Sequence, residues 1–179
     1  MNANYTSKFM SKIYRFLLRQ LDALIYGLMG PFTILYVFPQ FLLQIERSIN
    51  ISIEMNPTMD HIGTFLMWAG AGIAIWCGMY LLITKNTISP LSSQTKVLTK
   101  GPYKMVRHPM MWSINIVLIG EIIVYGSPFL FIWFLLWLRL SVIYVSRFEE
   151  PALIDRFGGA YIEYCTTTPR WFPKLKFFK

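Results

Sequence analysis

Long apolar runs alternate with short polar segments along the chain of 179 residues. Two of these runs contain 23 residues each without a formal charge, and two further runs contain a single charged residue each. Each of the first two matches the ~20 residues that cross a ~30 Å hydrocarbon core. One such run suits a buried core helix of a soluble protein, but four runs in so short a chain indicate a membrane protein. We therefore predict four transmembrane helices at about 23–45, 62–84, 109–125 and 129–146.

The polar segments complete the predicted architecture. Residues 1–20 have apolar side chains at helical spacing among basic ones, which is typical of a helix lying on a membrane surface. Only Gly126, Ser127 and Pro128 separate the third and fourth helices, and this turn signal predicts a tight helical hairpin. From Arg147 onward the chain is amphipathic. The prediction is one all-α integral membrane domain over residues 1–179, with an amphipathic C-terminal segment.

The charge distribution predicts how the chain is oriented. Four Lys and Arg residues precede the first apolar run, five lie between Lys85 and Arg107, and six follow from Arg147 onward. The loop between the first two runs carries one such residue, Arg47. This positive-inside bias predicts a multi-pass protein with both termini in the cytoplasm. The net charge of +8 is therefore explained by topology, and nothing supports a nucleic-acid partner.

Several classes of site lack support in the sequence. Two cysteines, Cys77 and Cys165, suggest neither a disulfide framework nor a cysteine metal cluster. Two histidines, His61 and His108, are predicted to lie on opposite sides of the membrane and so cannot share a metal ion. No glycine-rich phosphate loop is present, and no alternation of strands and helices would hold one. We therefore expect no metal site.

Two charged pairs stand at the same predicted boundary. Arg107 and His108 precede the third helix, and Glu149 and Glu150 follow the fourth. Because a hairpin returns the chain to the face from which it started, we expect these four side chains to lie close together at the cytoplasmic surface. The alternative is that they are interfacial charges without a role.

Arg139 lies inside the fourth apolar run, where a charged residue is by default a functional-site hypothesis. On a continuous α-helix, Arg139 and Glu150 fall within about 20° of each other, so both would line one face. The alternative for Arg139 is snorkelling to the interface. Glu121 in the third run carries a weaker signal. Pairing across the hairpin is one role open to it, but its expected depth differs from that of Arg139 by several ångströms.

The combination of "TKVLTKGPYKMVRHPMMWS" with "EEPALIDRFGGAYIEYCTTTPRWFP" after a hairpin resembles the signature of the isoprenylcysteine carboxyl methyltransferase family. These small integral membrane methyltransferases are related to the phospholipid N-methyltransferases. The resemblance covers roughly residues 85–175. It implies a cytoplasm-facing pocket for S-adenosylmethionine built from segments 94–113 and 147–173. The implied cofactor contacts are Thr95, Lys96, Val97, Leu98, Tyr103, His108, Pro109, Met110, Met111 and Glu149.

The chain departs from the family pattern at three positions. The family has an arginine for the substrate carboxylate where this chain has Val145, so Arg139 or Arg147 would take over substrate binding. Met111 replaces a tyrosine, which leaves only a backbone contact there, and Ser113 replaces a glycine. We assign Arg107, His108 and Glu150 to catalysis.

The sequence therefore predicts an S-adenosylmethionine-dependent membrane methyltransferase whose lipophilic acceptor enters from the bilayer. Carboxyl O-methylation of an isoprenylcysteine-like substrate is the first prediction, because Arg139 favours an anionic acceptor. N-methylation of phosphatidylethanolamine is the alternative, and there Glu150 or His108 would remove the proton. A non-catalytic membrane scaffold or transporter subunit, or a reductase relative with a nicotinamide cofactor, are the remaining interpretations.

Overall fold

The computed structural model describes residues 29–51, 56–84 and 96–173, and within these ranges every regular element is helical. The all-α prediction is therefore confirmed for the described residues. The predicted surface helix at 1–20 lies outside them, as do residues 85–95 of the polar segment before the third helix.

The first described helix, α1, is continuous but not uniform. It consists of Gly30–Phe32, a π-helical segment Thr33–Val37 and Phe38–Ser48. Prolines stand near the start of both α-helical segments, where the missing N–H removes a backbone hydrogen bond and loosens the helix. The distortion that the prolines cause in this apolar run is thus a local change from α-helical to π-helical winding.

Helix α2 runs over Pro57–Ile83, and its sequence shows why it begins there. The side chain of Asn56 accepts a hydrogen bond from the Thr58 N–H at 3.1 Å, and Pro57 occupies the first helical position. Asp60 in the first turn adds a negative charge near the positive end of the helix dipole.

Helices α3 (Pro109–Tyr125) and α4 (Pro128–Tyr144) form the predicted tight hairpin. Gly126 closes α3 in the left-handed conformation, with φ of 57°, which glycine adopts without steric cost. The Ser127 hydroxyl accepts from the Leu130 N–H at 3.0 Å and caps α4. Glu46 at the end of α1 accepts hydrogen bonds from the Ser127 hydroxyl and the Phe129 N–H, so α1 is fastened to the turn.

Helices α2 and α3 pack closely because glycines remove side chains from their contact. A Cβ atom on Gly63 would lie 2.7 Å from the Gly120 carbonyl oxygen. A Cβ atom on Gly70 would lie 2.8 Å from the Ser113 carbonyl oxygen. Small residues at such contacts let two backbones approach, which is how membrane helices associate.

Two described helices are long and apolar enough to cross a membrane. They are Pro57–Ile83 and the continuous run Pro128–Phe157, of 27 and 30 residues. Pro109–Tyr125 is also apolar but has only 17 residues. Large apolar side chains such as Trp68 and Ile132 are exposed, as expected of helices that face lipid. The four-span topology and its orientation remain predictions.

The chain after α4 continues as a π-helical segment, Val145–Glu149, followed by α5 (Glu150–Phe157) and α6 (Gly159–Thr167). Gly158 separates α5 from α6 with φ of 54° and ψ of −128°, a conformation suited to glycine. Residues 168–173 then return toward the start of α3. We call residues 96–108 together with 145–173 the polar end of the molecule.

Candidate functional site at the polar end

The polar end is held together by contacts between the loop before α3 and the C-terminal segment. The Arg107 N–H donates to the Pro169 carbonyl at 3.0 Å, and the Tyr164 hydroxyl donates to the Tyr103 carbonyl at 2.6 Å. The indole N–H of Trp112 donates to the Trp171 carbonyl. These bonds fix the position of His108, which precedes Pro109 at the first turn of α3.

His108 is buried between two neighbouring carboxylates. Its Nδ1 lies 3.4 Å from Glu149 Oε1, and its Nε2 lies 3.4 Å from Glu150 Oε1. The Trp171 ring lies beside the imidazole with a centroid separation of 5.9 Å. The π-helical segment ends at Glu149. Segments of this kind often mark functional sites.

Glu150 is the centre of a charged network. One of its oxygens lies 2.9 Å from Arg107 Nη1 and 3.0 Å from Arg170 Nε, and the other accepts a second bond from Arg170. Such a two-point guanidinium–carboxylate pair fixes both position and orientation. Arg107 Nη1 also contacts Cys165 Sγ. Glu150 therefore has its hydrogen-bonding capacity filled by its neighbours.

The pKa of His108 reflects this environment. Burial by itself lowers the pKa, but hydrogen bonds to Glu149 and Glu150 and the charges of these carboxylates outweigh burial. The net effect raises the pKa of His108 above its ordinary value. The imidazole is therefore stabilised in its protonated form, and it is a poor proton acceptor in this state.

Three buried polar atoms around His108 have no hydrogen-bonding partner among the described residues. They are Arg107 Nε, Glu149 Oε2 and the Tyr161 hydroxyl. Buried polar groups are almost always paired, so a group of unpaired ones needs a physical reason. The set contains a guanidinium donor, a carboxylate acceptor and a hydroxyl. A zwitterionic ligand could satisfy all three.

A cavity of about 320 Å³ lies next to this cluster, and α6 joins the two. Tyr161 carries one of the unpaired atoms, and Tyr164 lines the cavity, with 5.9 Å between the two ring centroids. The volume falls in the range of small-molecule sites. The lining residues are Val97, Thr99, Ala160, Glu163, Tyr164 and Thr167.

The structure brings four of the predicted site residues together. Arg107, His108, Glu149 and Glu150 form one cluster, as predicted from the hairpin, in which His108 and Glu150 are buried and Arg107 and Glu149 are half-buried.

Arg139 and Arg147 lie elsewhere. Both are exposed, and the π-helical segment after Tyr144 breaks the regular spacing on which the shared face of Arg139 and Glu150 depended. Their assignment to substrate binding remains a prediction.

The remaining predicted cofactor contacts have different surroundings. Val97 lines the cavity beside the cluster, Tyr103 accepts a hydrogen bond through its carbonyl, and Pro109 begins α3. Met110 instead lines a second, apolar cavity between α1, α2 and α3. Lys96, Leu98 and Met111 lie within the described ranges, whereas Thr95 lies outside them.

Arg170 and Tyr161 contribute to the cluster but were not identified from the sequence. Arg170 stands in "TPRWFP", whose arginine looked like one more basic residue of an amphipathic segment. The pairing of Arg170 with Glu150 depends on how residues 168–173 fold back. The spacing of Tyr161 and Tyr164, three residues apart, is a signal for one helix face that sequence reasoning could have used.

Among residues 29–51, 56–84 and 96–173, no group of three or more His, Cys, Asp or Glu side chains is arranged to hold a metal ion.

Comparison with known proteins identifies the family. A nickel-cobalt-cadmium resistance protein, NccN, of Alcaligenes xylosoxydans xylosoxydans is 29% identical over 108 residues. These residues are 59% of this chain and 45% of that protein, so the chain spans less than half of this relative's length. No solved structure matches the chain. The model of the phospholipid methyltransferase family matches residues 59–160, more than half of the chain. The resemblance predicted from the two polar blocks is thereby confirmed, and the chain belongs to the phospholipid methyltransferase family.

Proposed function

We propose that the polar end binds S-adenosylmethionine and transfers its methyl group to the head of a lipid-like acceptor at the cytoplasmic surface of a membrane. The observation that carries this proposal is the set of three unpaired buried atoms, Arg107 Nε, Glu149 Oε2 and the Tyr161 hydroxyl. Membership of the phospholipid methyltransferase family supports the reaction class.

The residues fit the cofactor group by group. Glu149 Oε2 suits the ammonium of the amino-acid end, and Arg107 Nε with the Tyr161 hydroxyl suits its carboxylate. The cavity beside α6 suits the adenosine, since Glu163 and Thr167 offer polar atoms and Val97 offers an apolar surface. When bound, the cofactor supplies an electrophilic methyl group on a positively charged sulfur.

The chain's own contribution is alignment and exclusion of water. Arg107, Glu150 and Arg170 form a rigid charged network around His108, so an acceptor would meet preset groups. Positioning of two reactants supplies up to about 7–11 kcal/mol in favourable cases. Buried fixed charges add to this, because they need no rearrangement as the reaction proceeds.

Carboxyl O-methylation of an isoprenylcysteine-like acceptor is the favoured reaction. Arg107, Arg170 and protonated His108 carry three positive charges against the two negative charges of Glu149 and Glu150. The excess positive charge favours an anionic acceptor. A carboxylate is already ionised at neutral pH and needs no base, whereas His108 in its protonated form cannot remove a proton.

N-methylation of phosphatidylethanolamine is the second candidate, and the family match is the observation that favours it. An amine acceptor must lose a proton before it attacks, so this reaction would need a base other than protonated His108. The phosphate of this lipid would also satisfy the excess positive charge.

Radiolabelled methyl transfer tests the proposal. The purified chain in lipid nanodiscs receives methyl-tritiated S-adenosylmethionine with either a farnesylated cysteine or phosphatidylethanolamine. We expect lipid-soluble label with the farnesylated cysteine, reduced at least tenfold in Glu149→Gln and unchanged in Asp155→Asn, whose side chain is exposed in α5. Label in phosphatidylethanolamine alone would select the second candidate. No label in either lipid, from folded protein, would favour a non-catalytic scaffold.

A further inference from the structure

The second cavity lies away from the charged cluster, between α1, α2 and α3. Its volume is about 550 Å³, and its surface is formed almost entirely by apolar side chains. Ser113 is one of its two hydroxyl residues, and that hydroxyl donates to the Met110 carbonyl of its own helix at 2.6 Å. The cavity therefore offers little to a polar ligand.

The shape of the cavity follows α2. Its α2 residues run from Thr64 to Gly78, which are 14 positions apart and therefore span about 21 Å of helix. One leaflet supplies half of the ~30 Å hydrocarbon core, and the cavity is longer than that depth. Trp68 and Ile75 on its edge are 72% and 66% exposed, so the cavity opens sideways as a groove.

Small residues of α2 create this space. Ala71, Ala74 and Gly78 line the groove, and a Cβ atom on Gly78 would meet nothing within 4 Å. Gly63 and Gly70 on the same helix differ, because the backbone of α3 occupies the space that their side chains would need. The glycine at 78 therefore leaves room for something that the described residues do not supply.

One end of the groove lies beside the charged cluster. Met110 lines the groove and is two residues from His108 along the chain. The other end, at Thr64, lies far along α2. A molecule with its polar head group at His108 and a single extended hydrocarbon chain would fit the charged cluster and the groove together.

We infer that this groove holds the hydrocarbon chain of the acceptor lipid, and that its length from Gly78 to Thr64 limits the chain length that the protein accepts. The inference rests on the proposed function and adds a specificity determinant to it. The occupant is a single prenyl chain, because the favoured isoprenylcysteine-like acceptor carries one such chain, whereas phosphatidylethanolamine carries two.

Photolabelling tests the groove without requiring methyl transfer. The full chain in lipid nanodiscs is exposed to a prenylated cysteine or a lysophosphatidylethanolamine, each with a diazirine at the end of its chain. Mass spectrometry then locates the label. We expect it on Thr64, Met67 or Trp68 with the prenylated cysteine, and stronger labelling there by lysophosphatidylethanolamine would overturn the prenyl chain as the occupant. Label spread evenly over other exposed apolar faces, such as Phe131 and Ile132 on α4, would overturn the inference.

Three variants make the test specific. Gly78→Leu places a side chain near the head end, and we expect at least a tenfold loss of labelling for every chain length. Ala71→Leu blocks the groove about 10 Å farther along α2, so short chains should still bind and long chains should be lost. Gly72→Leu is the matched control, because Gly72 is exposed on α2 outside the groove and also has open space. Equal labelling in all three variants would contradict the inference.

The outcome is separable from that of the proposed function. Labelling of the groove in a chain that transfers no methyl group would support the groove and count against the reaction. Methyl transfer with unchanged KM for long chains in Gly78→Leu would overturn the groove and leave the reaction intact.

Discussion

Glu149 and Glu150 are neighbours in sequence, yet their surroundings give them different properties. Glu150 is held by Arg107, Arg170 and His108, whereas one oxygen of Glu149 is buried without a partner among the described residues. A saturated carboxylate positions its neighbours, and an unsaturated one is available to a ligand. This contrast leads to opposite expectations for stability and binding.

Replacing Glu150 by Gln should destabilise the folded protein by about 3 kcal/mol. The change removes the negative charge that compensates two guanidinium groups, and breaking a buried ion pair by removing one partner leaves the other uncompensated. Thermal or SDS unfolding in detergent measures the effect. Asp155→Asn removes an exposed carboxylate from the same helix and should change stability by less than about 0.5 kcal/mol. Equal losses in the two variants would contradict the network.

The raised pKa of His108 predicts a pH dependence of stability. Because the folded state binds the proton more tightly than the unfolded state, the contribution of His108 is complete below about pH 6.5. It is lost as the pH rises through the higher, folded-state pKa. Unfolding of the wild type between pH 6 and 9 should show this loss, and His108→Asn should flatten it. A wild-type stability that rises over this range would contradict the assignment.

The sequence predicted most of this cluster, because a hairpin must return Glu149 and Glu150 to the level of Arg107 and His108. The prediction that Arg139 and Glu150 share one helix face assumed uniform α-helical spacing, and the π-helical Val145–Glu149 interrupts that spacing. Whether a segment winds as an α-helix or as a π-helix depends on how its neighbours pack against it. The order of residues alone does not show this.

At the scale of elements, the glycines of α2 serve two different purposes. Gly63 and Gly70 allow α3 to approach, whereas Gly72 and Gly78 face open space. Both uses look alike in sequence, so the sequence alone does not assign each glycine to one of them.

Gly70→Ala and Gly72→Ala should therefore differ in sign. At Gly70 a Cβ atom would lie 2.7 Å from Val117 Cγ2 and 2.8 Å from the Ser113 carbonyl oxygen, so overpacking should cost roughly 1–3 kcal/mol. At Gly72 the added methyl meets nothing, and the gain in helix propensity should stabilise by up to about 1 kcal/mol. Reversible SDS unfolding measures both changes. A neutral Gly70→Ala would show that α2 and α3 are not in close contact.

Gly126, Ser127 and Pro128 form the tight turn that the sequence predicted, through local bonds that these residues make with their own neighbours. The start of α2 at Asn56 and Pro57 also rests on local bonds, but it precedes the predicted span at about 62–84 and was not identified from the sequence. The return of residues 168–173 onto the loop before α3 was harder to predict. It depends on the bond between Trp112 and Trp171, 59 residues apart, and on the pairing of Arg170 with Glu150, 20 residues apart, and no local rule specifies such contacts.

At the scale of the whole molecule, the charged cluster and the apolar groove meet near His108, which places a polar site at the end of a hydrocarbon-lined path. The basic segments predict that this polar end faces the cytoplasm. The orientation of the molecule in the membrane is a prediction with its own experiment.

Single cysteines introduced at opposite ends should react from opposite sides of the membrane. In sealed right-side-out vesicles, a membrane-impermeant maleimide should label Asn50→Cys and leave Lys104→Cys at the wild-type background. Permeabilised vesicles provide the control, because both positions are exposed and should then react. The reverse pattern would invert the topology, and labelling of both in sealed vesicles would exclude a membrane between them.

Calorimetric binding of S-adenosylhomocysteine to the purified chain in detergent tests directly whether the cluster around His108 is a cofactor site. We expect saturable binding to the wild type and to Asp155→Asn, weakened at least tenfold in Glu149→Gln. A tenfold change corresponds to about 1.4 kcal/mol, within what one hydrogen bond to a charged group contributes. No binding to folded wild type, or equal binding to Glu149→Gln, would contradict the cofactor site.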